Sequence, residues 1–183
     1  MDIIEPGILL VANPFLKDPN FLRTVVFICE HREEGSFGLV LSRKLEFSLG
    51  AIMENLEGCT HPVFYGGPVS PNTLHFLHRC PGLITGGEKI KDNIYRGGEF
   101  EEVAALLRNN KLNKNDIKFF AGYSGWGSGQ LAEEMETGSW LLTEGIPQLI
   151  YHKKETEIWK AALTQMGGEY AQLINYPIDP LLN

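Results

Sequence analysis

The sequence predicts an α+β domain with a largely antiparallel, strongly bent sheet. The predicted strands and helices are mixed without the regular βαβ repeat that is typical of a parallel sheet. The polar turn at Arg32–Gly35 is too short for a crossover connection and favours an antiparallel hairpin. A length of 183 residues, 43% of them hydrophobic, fits a single domain that spans residues 1–183 around one core.

Short apolar or β-branched segments bounded by turn residues predict the strands. The first strand is closed by Asn13-Pro14, and the second and third strands flank the polar turn. The predicted strands lie at residues 7–12, 23–30, 36–41, 62–65, 117–123, 140–142 and 148–151.

Capping residues and apolar periodicity predict the helices. Ser48 precedes apolar positions spaced i, i+3, i+4 and i+7, and Ser70-Pro71 offers a hydroxyl cap followed by a proline in the first turn. Ser128 is expected to cap a helix that starts at Gln130. The tail with Pro177 and Pro180 is predicted to be irregular. Further helices are predicted at residues 100–107, 130–137 and 158–166.

The charge pattern argues against direct binding of nucleic acid. The formal net charge is −7 at pH 7, and the adjacent cations Arg43-Lys44 and Lys153-Lys154 are too few to form a basic face. Nonspecific affinity for duplex DNA comes mainly from phosphate neutralisation by lysine and arginine. We therefore expect no tight binding to random-sequence DNA.

Cysteine usage and hydropathy predict a cytoplasmic protein. Cys29, Cys59 and Cys80 are odd in number, widely spaced and without a CxxC pair, which favours a reducing compartment. The N-terminus lacks the basic start and apolar centre of a signal peptide. No apolar run approaches the ~20 residues that cross a bilayer, so no membrane association is expected.

The most informative segment is Gly122–Leu131, in which four glycines accompany a tyrosine and a tryptophan. Glycine allows sharp bends or close approach of backbone, and the aromatic rings supply large buried surfaces. The segment is predicted to be a turn that serves mainly packing, with most of the Trp126 ring buried. A serine-nucleophile elbow is disfavoured because Trp126 takes a glycine position of G-x-S-x-G around both Ser124 and Ser128.

Histidines and glycine pairs suggest metal or phosphate sites only weakly. His75 and His78 are three residues apart on a predicted helix, a spacing that can hold a metal and also arises by chance. Because HExxH and paired CxxC motifs are absent from the sequence, no metal is expected. Gly66-Gly67-Pro68 leads into a predicted helix N-terminus but matches no phosphate-loop pattern, so it is interpreted as a turn, and no cofactor is expected.

Several blocks of residues form a pattern that covers nearly the whole chain. The most specific block combines the Gly122–Trp126 and Gly129–Leu131 segments with Glu134 and Trp140. The other blocks are Gly7–Pro14, Asp18–Val26, Cys29-Glu30-His31, Gly38–Leu41, Gly66–Val69 with Leu77-His78, and Trp159–Gly167. In this order the blocks resemble the YqgE/AlgH family of bacterial proteins.

The resemblance implies a bifurcated, mostly antiparallel sheet that curls into a pseudo-barrel with helices packed outside. Family members are often labelled transcriptional regulators, and the family offers no catalytic residue to carry over. The label fits this acidic chain poorly, because its sequence shows no helix-turn-helix or other DNA-reading module. After the third strand the family usually has an asparagine and a proline, where this chain has Ser42 and Lys44.

The residues and the resemblance together favour a non-enzymatic binding or regulatory protein that acts through an unknown protein or small-ligand partner. The expected cleft lies where Gly122–Leu131 approaches residues 14–23 and His31. The rival interpretations are a hydrolase with His31 or His78 as base, and a purely structural or interaction role for the same residues. The candidate binding residues are Asp18, Arg23, His31, His78, Tyr123, Trp126, Gln130 and Glu134, and the structural motif consists of Gly66, Gly67, Pro68, Gly122, Gly125 and Gly129.

Overall fold

A curved sheet of ten strands organises the described part of the chain, residues 3–177 of a computed structural model. The strands are short, as expected for apolar runs interrupted by turns. They are β1 (Ile8–Ala12), β2 (Val25–Arg32), β3 (Gly35–Val40), β4 (Lys44–Ser48), β5 (Pro62–Tyr65), β6 (Val69–His78), β7 (Glu88–Lys91), β8 (Ile94–Arg96), β9 (Ile117–Gly127) and β10 (Trp140–Glu144).

The sheet forks along β9. The main path has the strand order β10-β1-β2-β3-β9-β6-β8-β7, and a side branch of β5 and β4 joins it at β9. The first part of β9 pairs with β5 and β6, and its last part pairs with β3. Among the described strands, the β5–β9 pairing is parallel and every other pairing is antiparallel.

The sheet curls strongly, but its backbone ladder does not close into a barrel. The end strands of the main path, β7 and β10, are bridged by side chains, with Lys91 Nζ 2.7 Å from Glu144 Oε1. Arg96 of β8 forms a similar ion pair with Glu30 of β2, with 3.1 Å between Arg96 Nη2 and Glu30 Oε2. The α+β class and the bent, bifurcated sheet are therefore confirmed, while the pseudo-barrel stays open between β7 and β10.

Helices cover both faces of the sheet, because neighbouring apolar residues on each strand point to opposite sides. The helices are α1 (Phe100–Arg108), α2 (Gln130–Glu136), α3 (Pro147–Ile150) and α4 (Ile158–Met166). One core packs α3 and α4 against one face of the sheet. On the other face, α1 covers the side around β5 and β6, and α2 covers the side around β1 to β3. None of the helices within residues 3–177 has the length and apolar character needed to cross a bilayer.

Three predicted elements are wrong. The helix predicted at Ser70-Pro71 is instead β6, because pairing with β9 along its length outweighs the local capping signal. The helix predicted after Ser48 is a single 3-10 turn at Leu49–Ala51, with Ile52 46% exposed. The strand predicted at 148–151 is α3, which begins at Pro147; an apolar run of four residues cannot distinguish the two states.

The sequence interpretation also missed β4, β7 and β8, and it ended β9 too early. The glycine-rich segment predicted as a turn continues the strand as far as Gly127. In the tail, Tyr170–Asn175 forms a 3-10 turn, whereas Pro180 lies outside the described residues. The other predicted strands and helices are present with small shifts at their ends.

Candidate functional site

Trp126, at the end of β9, belongs to a closed aromatic and carboxylate cluster. Its ring is 5% exposed, and its Nε1–H donates a hydrogen bond to Glu134 Oε2 at 2.9 Å. Trp140 Nε1–H donates to the same oxygen at 2.8 Å. The ring of Phe21 stacks on Trp126, with 6.2 Å between the ring centres, and packs edge-on against Trp140, with 5.3 Å between the ring centres. We call Phe21, Trp126, Glu134 and Trp140 the tryptophan clamp; the predicted burial of Trp126 is confirmed.

Gln130 attaches the first turn of α2 to the clamp. Its Nε2–H donates to Glu134 Oε1 at 3.0 Å, and its Oε1 accepts the Gly127 N–H at 3.0 Å. The predicted cap at Ser128 is wrong, because Gly129 precedes the helix in the left-handed region and no side chain caps it. The side-chain oxygens of Gln130 and Glu134 are thus already engaged within the protein.

The glycines of the motif allow the backbone of residues 66–67 to cross β9. A Cβ on Gly67 would lie 2.2 Å from the carbonyl carbon of Tyr123, and Gly122 has a positive φ of 69° with its own Cβ position 2.7 Å from Gly67 O. Both positions therefore require glycine. The exposed Pro68 follows this crossing, Gly66 packs against the Gly122 carbonyl, and Gly125 and Gly129 are exposed.

Asp18, Arg23 and Tyr123 do not join the clamp residues in one cleft. Asp18 is exposed, and its Oδ1 accepts the Asn20 N–H at 2.8 Å. Arg23 donates to the Tyr176 carbonyl, and its guanidinium lies 4.9 Å above the Trp159 ring. Tyr123 stacks on Phe37 at 4.7 Å, on the face of β9 opposite to Trp126.

The histidines are equally separate. His31 is exposed, with Nδ1 2.7 Å from Ser36 Oγ. His78 is fully buried between the Gly97 carbonyl at 3.0 Å and the Cys80 N–H at 3.2 Å, and burial lowers its pKa. Because β6 is a strand, His75 and His78 point to opposite faces and cannot share a metal. Among residues 3–177, no group of three or more His, Cys, Asp or Glu side chains could hold a metal ion.

A separate concave surface lies where β4, β5 and the start of β9 face residues 147–156. Three adjoining hollows of about 510, 260 and 280 Å³ share wall residues and so form one continuous depression. Lys44 and Glu155 are common to the first two, and Asn115, Tyr151 and Lys153 to the second and third. We call this depression the lysine groove.

The groove concentrates positive charge in an acidic protein. The chain has 16 Lys and Arg residues and 23 Asp and Glu residues. Of these, six basic side chains line the groove, with Glu155 as the one carboxylate among its wall residues. The six basic residues are Arg43, Lys44, Arg79, Lys114, Lys118 and Lys153.

Lys118 is the buried member of this set. Its side chain is 5% exposed, and Nζ donates to the carbonyls of Leu41 at 2.9 Å and Ile150 at 3.3 Å. Nζ also lies 4.0 Å from the centre of the Phe64 ring, another wall residue. Burial lowers the pKa of Lys118 to about 7, an effect that the nearby carboxylate of Glu155 partly opposes.

Two wall residues of the groove contain buried polar atoms without a hydrogen-bond partner. The Tyr151 hydroxyl and Arg79 Nε are both in this state among the described residues. The Arg79 guanidinium lies 4.6 Å above the Tyr151 ring and forms an ion pair with Asp116 at 3.3 Å. Burial raises the pKa of Tyr151, so its hydroxyl stays protonated.

The positions at which this chain departs from the family resemblance also belong to the groove. Ser42 and Lys44 line the largest hollow, and Ser42 Oγ accepts the Val25 N–H at 3.2 Å. Lys44 adds an exposed cation to this wall, where the proline that the resemblance implies would be uncharged.

Sequence reasoning missed the groove, although one signal was available. Lys118 interrupts the apolar run Ile117–Ala121, and a charge inside a buried strand requires a specific partner. The pairs Arg43-Lys44 and Lys153-Lys154 were each too small to indicate a basic face. The fold brings both members of the first pair and Lys153 of the second together with Lys114 and Lys118.

The fold and the site define an α+β protein with a forked, curved sheet and a basic groove large enough for a small ligand. The family model described as AlgH-like matches residues 9–171. The chain therefore belongs to the AlgH-like family.

Relatives in two Chlorobium species match almost the whole chain. A UPF0301 protein of Chlorobium limicola is 38% identical over 182 residues, covering 100% of this chain and 97% of the relative. A UPF0301 protein of Chlorobium luteolum is 40% identical over 180 residues, covering 98% and 95%. Neither name states an activity.

Two solved structures have the same fold. A protein from Corynebacterium diphtheriae matches with a TM-score of 0.78 and 19% identity, covering 96% of this chain and 94% of that one. The solution structure of the AlgH protein from Pseudomonas aeruginosa matches with a TM-score of 0.75 and 24% identity, covering 97% and 98%. At these identities the likeness establishes the fold.

Proposed function

We propose that this protein is a non-enzymatic binding protein that holds a small anion, carrying carboxylate or phosphate groups, in the lysine groove. The observation that carries the proposal is the charge of the groove. Its walls hold six of the 16 basic side chains of the chain and one of its 23 acidic ones. A cleft lined by one sign of charge focuses the field and raises the local concentration of the opposite ion.

Three of these cations support the proposal most directly. Lys44, Lys114 and Lys153 are exposed and form no ion pair within residues 3–177, so their charge is available to a ligand. Arg43 is different, because it donates to the carbonyls of Pro19 and Leu22 and so helps to hold the wall. A flexible lysine serves an anion as a movable point charge.

The size of the groove is compatible with a small ligand. The hollow of about 510 Å³ lies within the roughly 300–1,000 Å³ of typical ligand pockets. Its walls include the aromatic ring of Tyr65 and the hydroxyls of Ser42 and Thr156, which could orient a polar molecule. A regulatory role would follow if the bound anion holds residues 147–156 against the sheet.

Isothermal titration calorimetry with citrate and with inorganic pyrophosphate tests the proposal. The variant Lys114→Glu/Lys153→Glu reverses two groove charges and should weaken binding of the preferred probe at least tenfold. The matched control Lys89→Glu/Lys160→Glu makes the same change in net charge at exposed positions outside the groove, and should change binding less than twofold. Preference between the two probes distinguishes a carboxylate ligand from a phosphate ligand.

Equal weakening in both double variants would contradict a specific groove site and reduce the effect to net charge. Failure of both probes to bind the parent would overturn the small-anion proposal and favour an acidic protein partner. The expectation that the protein does not bind random-sequence duplex DNA tightly stays a prediction, to be checked by fluorescence anisotropy. We place the function in the cytoplasm, which the three free cysteines support.

A further inference from the structure

We propose that Lys118 binds its ligand covalently and reversibly, forming an imine with a small carbonyl compound that also carries an anionic group, such as a 2-oxo acid. This inference rests on the proposed function, because the exposed lysines of the groove would hold the anionic group. It adds a reactive centre and narrows the ligand class from anions in general to anions with an aldehyde or ketone.

The position of Lys118 is the first argument. It lines the hollow of about 260 Å³ together with Lys44, Lys114 and Lys153, so that one buried amine and three exposed cations lie in the walls of the same hollow. The groups that contact Lys118 Nζ are neutral: the Phe64 ring and the carbonyls of Leu41 and Ile150. The titratable side chains of Lys44, Tyr151 and His152 also line this hollow. Glu155 is the carboxylate that faces this hollow.

The protonation state of Lys118 is the second argument. An ammonium group has no lone pair for attack on a carbonyl, and an ordinary lysine with a pKa near 10.4 is uncharged in only roughly one molecule in 2,500 at pH 7. Because burial brings the pKa of Lys118 to about 7, about half of this amine is uncharged at that pH. The neutral amine can still donate two N–H bonds to Leu41 and Ile150 and has a lone pair left over.

The chemical step needs no oxidant or cofactor. The Lys118 lone pair attacks the carbonyl carbon, and the carbonyl oxygen takes up a proton as the nitrogen loses one. The carbinolamine then loses its hydroxyl group with a second nitrogen proton as water, and a C=N bond forms. Water reverses the reaction, so that the ligand is released unchanged.

Reductive trapping tests the proposal. The folded protein is incubated with glyoxylate and sodium cyanoborohydride, which converts an imine to a stable secondary amine, and the labelled lysines are located by peptide mass spectrometry. We expect Lys118 to be labelled at least tenfold faster at pH 7 than the exposed lysines Lys89 and Lys160. Propanal, which lacks the anionic group, should lose most of this preference.

Two further measurements separate a reactive lysine from a structural one. The labelling rate of Lys118 should rise through pH 7 and level off by about pH 8, whereas exposed lysines keep rising toward pH 10. The variant Lys114→Glu/Lys153→Glu should reduce labelling of Lys118 by glyoxylate at least tenfold and leave labelling by propanal within twofold. Neither measurement depends on a folded Lys118 variant.

The outcomes distinguish the two proposals. If citrate or pyrophosphate binds in the groove but Lys118 is labelled no faster than Lys89, the imine is wrong and the binding function stands. If Lys118 is labelled quickly by glyoxylate and propanal alike, the amine is reactive but the anionic half of the ligand is wrong. Labelling that does not depend on pH around 7 would overturn the role of the neutral amine.

Discussion

The tryptophan clamp and the lysine groove lie at opposite ends of the same strand and differ in how their polar groups are used. In the clamp, one carboxylate accepts both indole N–H groups and the amide of Gln130, so its hydrogen bonds are made within the protein. In the groove, several cations face one carboxylate, and a buried tyrosine hydroxyl has no partner. Hydrogen bonds completed within the protein favour a structural role for the clamp. Positive charge with few carboxylates nearby favours ligand binding in the groove.

The conspicuous sequence motif and the proposed binding surface are also formed by different residues. Glycines and aromatic residues in Gly122–Leu131 attract attention because their packing requirements are strict. The groove residues are scattered lysines and arginines, each unremarkable where it stands in the chain. A motif that is easy to find can therefore mark what the fold needs rather than what the protein binds.

Trp126→Ala should produce the largest change in stability. It removes a nearly buried ring that packs against Phe21 and Trp140, and should lower the free energy of unfolding by about 3–5 kcal/mol. Urea denaturation followed by far-UV circular dichroism measures the effect. The control Leu83→Ala removes an apolar side chain that is 51% exposed and should cost less than about 1 kcal/mol. An unchanged midpoint for Trp126→Ala would make the clamp a binding surface instead.

Glu134→Gln should produce an intermediate loss of about 1–3 kcal/mol, because one neutral amide oxygen replaces a carboxylate that accepts three hydrogen bonds. The same urea experiment measures it, and the near-ultraviolet signal of the two tryptophans should change as well. Glu133→Gln, one residue earlier on α2 and exposed, is the control and should be within about 0.5 kcal/mol of the parent. If the two variants behave alike, the indole–carboxylate bonds contribute little.

Lys118→Met should change how the free energy of unfolding depends on pH. With a pKa of about 7 in the folded protein and about 10.4 in the unfolded chain, Lys118 binds more protons in the unfolded state between these values. Its contribution therefore rises with pH in this window, by up to about 1.4 kcal/mol per pH unit, and is constant below pH 7. Removing the amine should remove this slope.

Urea midpoints at pH 7.5, 8.5 and 9.5 for the parent and Lys118→Met give the difference directly, since other groups that titrate in this range cancel. Lys89→Met, at an exposed position, should keep the slope of the parent. Parallel curves for the parent and Lys118→Met would show that the buried amine titrates normally. The imine proposal would then lose its chemical basis.

Much of the fold could be predicted from the sequence, because local signals and pairing agree there. The hairpin around Arg32–Gly35 and the helices α1 and α4 follow from periodicity and turns. The prediction failed at β6, where the Ser70-Pro71 cap and the length of the apolar run gave no hint that β9 would pair with it. Tertiary pairing decides such segments, and single-sequence patterns cannot contain it.

The site was less predictable than the fold. Of the candidate residues, Trp126, Gln130 and Glu134 do meet, but Asp18, Arg23, His31, His78 and Tyr123 are dispersed. The groove depends on Lys44, Lys114 and Lys153, which are far apart in the chain and have no fixed spacing. Charge clustering of this kind arises only after the strands have been ordered.

The fork along β9 has a mechanical consequence. This strand carries Lys118 near one end and Trp126 near the other, separated by at most about 26 Å at roughly 3.3 Å per residue. Both branches of the sheet take backbone hydrogen bonds from this one strand, β5 and β6 along its first part and β3 along its last part. Loss of β9 from the sheet would therefore separate both branches at once, and we expect its amides to be among the slowest of the described residues to exchange with solvent.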